Sequence, residues 1–276
     1  MTVTKKAYAK INLTLEILGT RRADGYHDIA TVMHKTHELY DEVSVSADTE
    51  CVPASGVPDE GNIKLVCDAD VCPPQENLAY RAAAAYLALY GERAECTPRV
   101  SIAIHKHIPA GAGLAGGSAD AAAVLDALCA LLGKLSPQEI FDIALSLGSD
   151  VPFCLEVHTC ALCTGRGEIM RELPPLRDTR IAVVLPRTPL YTKGIYAEYD
   201  RLYGDDYTKS KSTAMAALLS RGANADEIAA LMCNDFQPIC EKRCPEIAAA
   251  CAELRAKGYY AQMSGSGSAV FGLRSI

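Results

Sequence analysis

Apolar and polar residues alternate along residues 9–18 (AKINLTLEIL), with Ile11, Leu13, Leu15 and Ile17 on one face. That period of two predicts a half-buried β-strand. A polar turn, GTRRADGYHD, leads to a second β-rich stretch over 29–47. Residues 49–76 are rich in Pro, Gly and acidic side chains and read as an irregular excursion. Leu78, Ala82, Ala85 and Leu89 then mark one face of a helix, and Val100, Ile102 and Ile104 mark a strand. Beyond Ser118, the stripe Ala121, Leu125, Leu128 and Leu132 predicts a helix. A second helix over 137–147 stops at Gly148. Strands follow near 157–163 and 180–185, with helices starting near Thr192, Lys211, Asp226 and Pro245. Two short strands, 259–263 and 268–273, are joined by Ser-Gly-Ser-Gly. This mixture of elements places the chain in the α+β class. A boundary within 155–165 is expected, giving domains at 1–158 and 159–276.

Composition narrows the function classes. The chain has 276 residues, 49% of them apolar and 22% charged, the profile of a soluble protein with a substantial core. A net charge of −7 argues against a general nucleic-acid binder. It leaves room for an anionic small molecule, because a few cations in a cleft can dominate the local field. The opening MTVTKKAYAK lacks the apolar stretch of a signal peptide, and no run approaches a membrane span. A soluble, cytoplasmic protein without membrane association is the expectation.

Twelve cysteines lie scattered through periodic segments and are expected to be reduced and mostly buried. The CxxC pair Cys160 and Cys163 falls in a strand-like segment that would point the two sulfurs to opposite faces. No second CxxC completes a zinc site.

The stretch HIPAGAGLAGGSADAAAVL contains Gly111-x-Gly113-x-x-Gly116. A dinucleotide site would need a strand, these glycines, a helix and a second parallel strand. Here the helix runs into another helix, so the βαβ unit is missing. A Walker A loop would end in Gly-Lys-Ser/Thr, whereas this loop ends Gly116-Gly117-Ser118-Ala119. What remains is a run of small residues at a helix start, whose free N–H groups suit a phosphate. Ser118 would add a hydroxyl to the phosphate or serve as the helix N-cap.

Three segments occur in order: AYAKINLTLEILGTRRADGYHDI, IPAGAGLAGGSADAAAVL and MSGSGSAVFG. Together they resemble the GHMP kinase superfamily. Within it the chain is most similar to the kinases of 4-diphosphocytidyl-2-C-methyl-D-erythritol in the non-mevalonate isoprenoid pathway. The distinguishing pieces are Ala9-Lys10-Ile11-Asn12-Leu13, Asp24-Gly25-Tyr26-His27 and Leu147-Gly148-Ser149-Asp150-Val151-Pro152-Phe153. Gly165-Arg166-Gly167-Glu168 and Asn234-Asp235-Phe236 agree as well. The resemblance covers nearly the whole chain. It implies an N-terminal ATP-binding domain, a smaller C-terminal substrate-binding domain and an active site in the cleft between them. It also implies transfer of the γ-phosphoryl group of ATP to the 2-hydroxyl of a cytidine-diphosphate methylerythritol, with Mg²⁺. Relatives generally continue through another helix and strand, whereas this chain stops at Ile276.

Residue by residue, the resemblance makes Asp150 the base that accepts the hydroxyl proton. The segment Gly148-Ser149-Asp150-Val151-Pro152 is equally compatible with an ordinary helix N-cap. Lys10 would stabilise charge at the transferring group, although a strand lysine usually lies on a solvated face. Pro109, Ala110, Gly111, Ala112, Gly113, Leu114, Ala115, Gly116, Gly117, Ser118 and Ala119 would wrap the ATP phosphates. Asn77 and Leu78 match an adenine-contacting segment, and Lys106 would reach the nucleotide unless it is an exposed strand end.

Tyr26 would stack on cytosine and His27 would bond its edge, with Thr192 and Tyr196 supplying the opposite ring. Asn12 would contact the substrate near its diphosphate, and Gly265 and Gly267 would close on substrate and phosphates. Many relatives have Ser-Ser where this chain has Ser118-Ala119. Mg²⁺ is therefore expected through the nucleotide, with Ser118 or Asp150. A monomer or weak homodimer is expected. The competing readings are a superfamily kinase acting on homoserine or mevalonate, a non-catalytic nucleotide-binding module, and a glycine-rich structural protein.

Overall fold

The computed structural model describes residues 1–20, 25–53, 61–70, 72–94, 96–190 and 192–276. Asp24, in the turn motif, lies outside them. Ten strands and nine α-helices are described: β1 (Thr2–Thr20), β2 (His27–Pro53), β3 (Ile63–Cys67), α1 (Leu78–Ala94), β4 (Cys96–His105), α2 (Gly116–Leu132), α3 (Pro137–Leu147), α4 (Val151–Cys154), β5 (Cys160–Gly165), β6 (Ile169–Glu172), β7 (Thr179–Val184), α5 (Thr192–Leu202), α6 (Lys211–Leu219), α7 (Ala225–Ile228), β8 (Cys233–Asn234), α8 (Gln237–Arg243), α9 (Pro245–Ala256), β9 (Tyr260–Met263) and β10 (Val270–Ser275). None of the described helices is long and apolar enough to cross a membrane.

The chain divides into two compact units. The first comprises Met1–Ala9, Tyr40–Ile108 and Ala115–Val157; the second comprises Lys10–Leu39, Pro109–Leu114 and His158–Ile276. The last of these boundaries falls between Val157 and His158. The segments 10–39 and 109–114, however, cluster with the later part of the chain, because β1 and β2 each run through both units.

In the first unit β4 pairs with β2 antiparallel, Val43 opposite Ile104 and Val45 opposite Ile102, and β3 runs parallel to β4 on its other side. Helices α1 and α2 cover the sheet's apolar face, burying Tyr86, Leu87, Leu125 and Leu128 with Val43, Val45, Ile102 and Ile104. The helix α3 starts with a capping box in which Ser136 accepts from the Glu139 backbone and the Glu139 side chain bonds the Ser136 backbone.

In the second unit the first part of β2 pairs antiparallel with β5, Val32 opposite Leu162, and β5 pairs with β6. Strand β1 pairs parallel with β8, Thr14 opposite Cys233. A separate sheet has the order β7-β10-β9. Its core gathers Leu15, Ile17, Ile195, Tyr199, Phe236, Ile239, Ile247 and Met263.

Four expectations are corrected. The excursion over 49–76 contains β3, whose short IKLVC pattern is masked by its polar surroundings. The expected helix near Asp226 is a single turn, while α8, starting on Gln237-Pro238, was not anticipated. Cys96 is disulfide-bonded, although ten other cysteines stand outside any disulfide, as expected. Most consequential is β1: its apolar alternates are buried, but so are Lys10, Asn12, Thr14 and Glu16.

Buried polar side chains are tolerated only when bonded. Thr14 Oγ1 accepts from the Val32 N–H at 2.9 Å, and Ser212 Oγ lies 2.8 Å from it. The Glu16 carboxylate accepts from the backbone N–H groups of Lys211 and Ser212, at 3.1 and 2.7 Å. It therefore sits on the positive end of α6. Replacing Glu16 by Ala strands two backbone donors, and a loss of about 1–3 kcal/mol is expected in urea unfolding. A wild-type midpoint for Glu16→Ala would contradict this anchoring role.

Candidate active site

Parts of all three sequence motifs, in residues 10–12, 109–114 and 263–269, meet within the second unit. Lys10, on β1, is only 4% exposed. Its ammonium donates to Asn12 Oδ1 at 2.7 Å and to the Gly113 carbonyl at 3.1 Å. The Asn12 amide donates in turn to Thr31 Oγ1 at 2.8 Å, which fixes its orientation. Both ends of the Asn12 amide are thus engaged inside the protein, and its oxygen faces the lysine. The solvated-face reading of Lys10 does not hold.

The glycine stretch is pinned by its backbone. The Ala112 carbonyl accepts from Ala269 N at 3.0 Å, and the Leu114 carbonyl accepts from Lys10 N at 3.1 Å. Ser264 Oγ also donates to the Gly113 carbonyl, at 3.0 Å. Gly113 has φ +75°, and a Cβ there would lie 2.3 Å from the Ser264 carbonyl oxygen. Gly265, with φ +54°, would place a Cβ 2.7 Å from the Gly113 carbonyl and 3.2 Å from Lys10 Nζ. Only glycine lets these two backbones approach so closely. Gly267 packs against Met263 and Leu190, and Gly111 lies beside Leu190 and Pro189. Pro109 and Ala110 are exposed where the loop leaves β4.

Residues 115–119 belong to the first unit. Helix α2 begins at Gly116, with Ala115 as its N-cap in the left-handed region at φ 56° and no side-chain cap. Ser118 is therefore the third residue of the helix and not its N-cap, correcting that expectation. The first-turn N–H groups carry no capping side chain, which is the arrangement that receives a phosphate oxygen. Gly116 cannot carry a side chain without meeting Ile108, 2.8 Å away. Gly117 is exposed and Ala119 is buried.

Lys106 is not an exposed strand end. Its ammonium is 2.5 Å from Asp41 Oδ2 and 2.6 Å from Asp120 Oδ2, and both carboxylates are buried. Asp41 also accepts from the backbone N–H groups of His107 and Ile108. Asp120 Oδ1 is buried without a hydrogen-bond partner. Burial pushes the Asp120 carboxyl up to about 7; Lys106 opposes that shift and Asp41 adds to it. Sequence reading missed both acids, which look like surface residues when read singly.

Asp150 stands at the N-cap of α4 with φ −85° and ψ −17°, yet its side chain makes no capping bond. The capping reading therefore loses its observation. Asn77 Oδ1 accepts from Ala79 N at 2.9 Å and so caps α1, which begins at the half-buried Leu78.

Around the proposed base site, His27 lies on the Tyr196 ring at 4.6 Å between centroids, and Tyr196 meets Phe236 edge-on at 4.7 Å. Tyr26 is 53% exposed and lies under the Arg166 guanidinium at 4.7 Å. Thr192 Oγ1 is 2.7 Å from Ser266 Oγ, tying the start of α5 to the third motif. The Asn234 amide donates to the carbonyls of Met263 and Gly265, at 2.9 and 2.8 Å, bracing the same loop. Among the described residues no cluster of three or more His, Cys, Asp or Glu could hold a metal ion. Cys160 and Cys163 are both buried, and neither is in a disulfide.

Two outcomes follow from this geometry. Gly113→Ala is expected to lower stability well beyond the roughly 1–2 kcal/mol of a left-handed alanine. Gly258→Ala, at φ +79° with nothing nearer the added Cβ than the Arg274 side chain at 4.0 Å, pays only the cost of its positive φ. Equal losses in urea unfolding would remove the close-approach argument. For Asp120, the unfolded carboxyl ionises near 3.8 and the folded one near about 7. Between these values the folded protein holds a proton that the unfolded chain has lost, so stability falls as pH rises from about 4 to about 7. Asp120→Asn should flatten that decline, and an unchanged slope in the variant would exclude Asp120 as its source.

The chain matches the model of the GHMP kinases N terminal domain over residues 77–156 and that of the GHMP kinases C terminal over 214–274. It is 38% identical to a 4-diphosphocytidyl-2-C-methyl-D-erythritol kinase of Desulfotalea psychrophila over 97% of this chain and 84% of that protein. It is 40% identical to the enzyme of the same name from Syntrophomonas wolfei, over 97% of this chain and 88% of that one. A crystal structure of a 4-(cytidine 5'-diphospho)-2C-methyl-D-erythritol kinase superposes with a TM-score of 0.72 at 33% identity, covering 98% of this chain and 90% of that chain. Near-full-length identity at this level, with the motifs gathered as described, means that the chain belongs to the GHMP kinase family, in its 4-diphosphocytidyl-2-C-methyl-D-erythritol kinase branch.

Proposed function

We propose that the chain transfers the γ-phosphoryl group of ATP to the 2-hydroxyl of 4-diphosphocytidyl-2-C-methyl-D-erythritol, giving the 2-phosphate and ADP in non-mevalonate isoprenoid synthesis. The observation that carries this reading is the near-full-length identity of 38–40% to kinases of that name.

The residue roles extend it. Asp150, at the start of α4 and not engaged in capping, accepts the hydroxyl proton. As the proton leaves, the hydroxyl oxygen bonds to the γ-phosphorus and the bond from that phosphorus to the β,γ-bridging oxygen breaks. Lys10, held by Asn12 and Gly113, supplies positive charge to the oxygens of the moving group. The glycine stretch 111–119 suits the nucleotide phosphates, because small residues and uncapped N–H groups leave room and donors for oxygen.

Mg²⁺, when bound with the nucleotide, offsets phosphate charge. Ser118 and Asp150 are the side chains proposed to approach it, and Ala119 offers no oxygen. Asn77, Leu78 and Lys106 are proposed on the nucleotide side. Tyr26, His27, Thr192 and Tyr196 are proposed around cytosine, with Gly265 and Gly267 closing on the substrate. A kinase of homoserine or mevalonate would have no use for these aromatic groups, which argues for the cytidylyl substrate.

ATP turnover should appear with the cytidine-diphosphate substrate and be absent with homoserine and mevalonate. Asp150→Asn should lower kcat by about 10²–10⁴-fold with little change in KM. Comparable turnover of a base-free alcohol would refute the substrate assignment, and a fully active Asp150→Asn would remove the base.

A further inference from the structure

His27 opens β2, and its imidazole is held from two directions by one helix. Tyr196 on α5 lies against the ring face, and Asp200, one helical turn later, meets its edge. The spacing of four residues puts both side chains on the same face of α5. His27 Nε2 is 2.6 Å from Asp200 Oδ1 and 3.2 Å from Thr20 Oγ1. The His27 side chain is 9% exposed, so the ring has little freedom to turn. Among the described residues nothing is bonded to its Nδ1.

We propose that Asp200 is a positioning residue that sets the base specificity of the enzyme by fixing the tautomer of His27. A carboxylate can only accept, so the hydrogen of the neutral ring stands on Nε2. Nδ1 is then left with a lone pair and acts as an acceptor. Cytosine presents a donor, its 4-amino group, where uracil presents the acceptor O4. A histidine held in this tautomer bonds cytosine and opposes uracil with two facing lone pairs. Without Asp200 both tautomers are open, and the ring can turn a donor toward uracil. The inference rests on the cytidine-diphosphate substrate proposed above and adds a residue that need not touch it.

The test pairs a spectroscopic with a kinetic measurement. Nitrogen-15 NMR of His27 in the substrate-free wild-type protein, at alkaline pH, should show the neutral Nε2–H tautomer. Asp200→Ala should show a mixture. Wild type should prefer the cytidine substrate over its uridine analogue by about 100-fold or more in kcat/KM. In Asp200→Ala that preference should shrink about 10-fold or more, mainly through a higher KM for the cytidine substrate at near-constant kcat.

The hydrogen on Nδ1, or an imidazolium, in the wild type would overturn the proposal, as would an unchanged base preference in Asp200→Ala. Equal turnover of both substrates by the wild type would overturn the cytidine reading itself, and the specificity role with it. Asp200 is 48% exposed, so its removal leaves the core intact.

Discussion

The carbonyl oxygen of Gly113 receives the Lys10 ammonium and the Ser264 hydroxyl, and so joins three segments that are far apart in the chain. A buried ammonium is costly unless bonded, so the lysine holds the loop as much as the loop holds the lysine. The approach is possible because Gly113 and Gly265 are both glycine; a methyl group on either would collide with the other segment's backbone. Asn234 braces the third segment from behind through the carbonyls of Met263 and Gly265. The loop geometry therefore depends on β1 and β8 as well as on its own glycines. A change at any of these anchors would move the glycine loop without altering a residue of the loop itself.

Much of this was legible before the structure. The alternation along β1 predicted the strand, and the missing βαβ unit and Walker lysine removed two owners of the glycine pattern. What periodicity could not reveal was the fate of the other face of β1. A polar alternate usually marks solvent, yet Lys10, Asn12, Thr14 and Glu16 are all buried because other segments of the second unit cover them. Sequence spacing also leaves Asp150 divided between cap and base, and in the structure its side chain makes no capping bond. Asp41 and Asp120 stand 65 and 14 residues from Lys106, so no local pattern announces their pairing. The Asn234-Asp235-Phe236 motif was visible without a role. Its parts brace the third loop, pair with Lys209 and the Ile17 backbone, and pack beside Tyr196.

The Lys106 cluster bears on how a chain of net charge −7 attracts a polyanion. With both carboxylates ionised, Asp41, Lys106 and Asp120 sum to one negative charge, so the lysine alone does not draw phosphate to the start of α2. Protonation of Asp120, whose carboxyl is raised by burial to about 7, brings the cluster to neutrality. In either state the attraction at this helix end falls to its uncapped backbone N–H groups and its dipole, which carry no titratable charge. A phosphate bonded there would compete with the acids for the Lys106 ammonium, which would lie 3.4 Å from a Cβ placed on Gly116. Asp41 also holds two backbone donors, whereas Asp120 Oδ2 meets the lysine and Asp120 Oδ1 is buried without a partner among the described residues. Asp41 is thus the fixed post of the cluster, and Asp120, raised by burial to about 7, is the member that exchanges its proton near neutral pH.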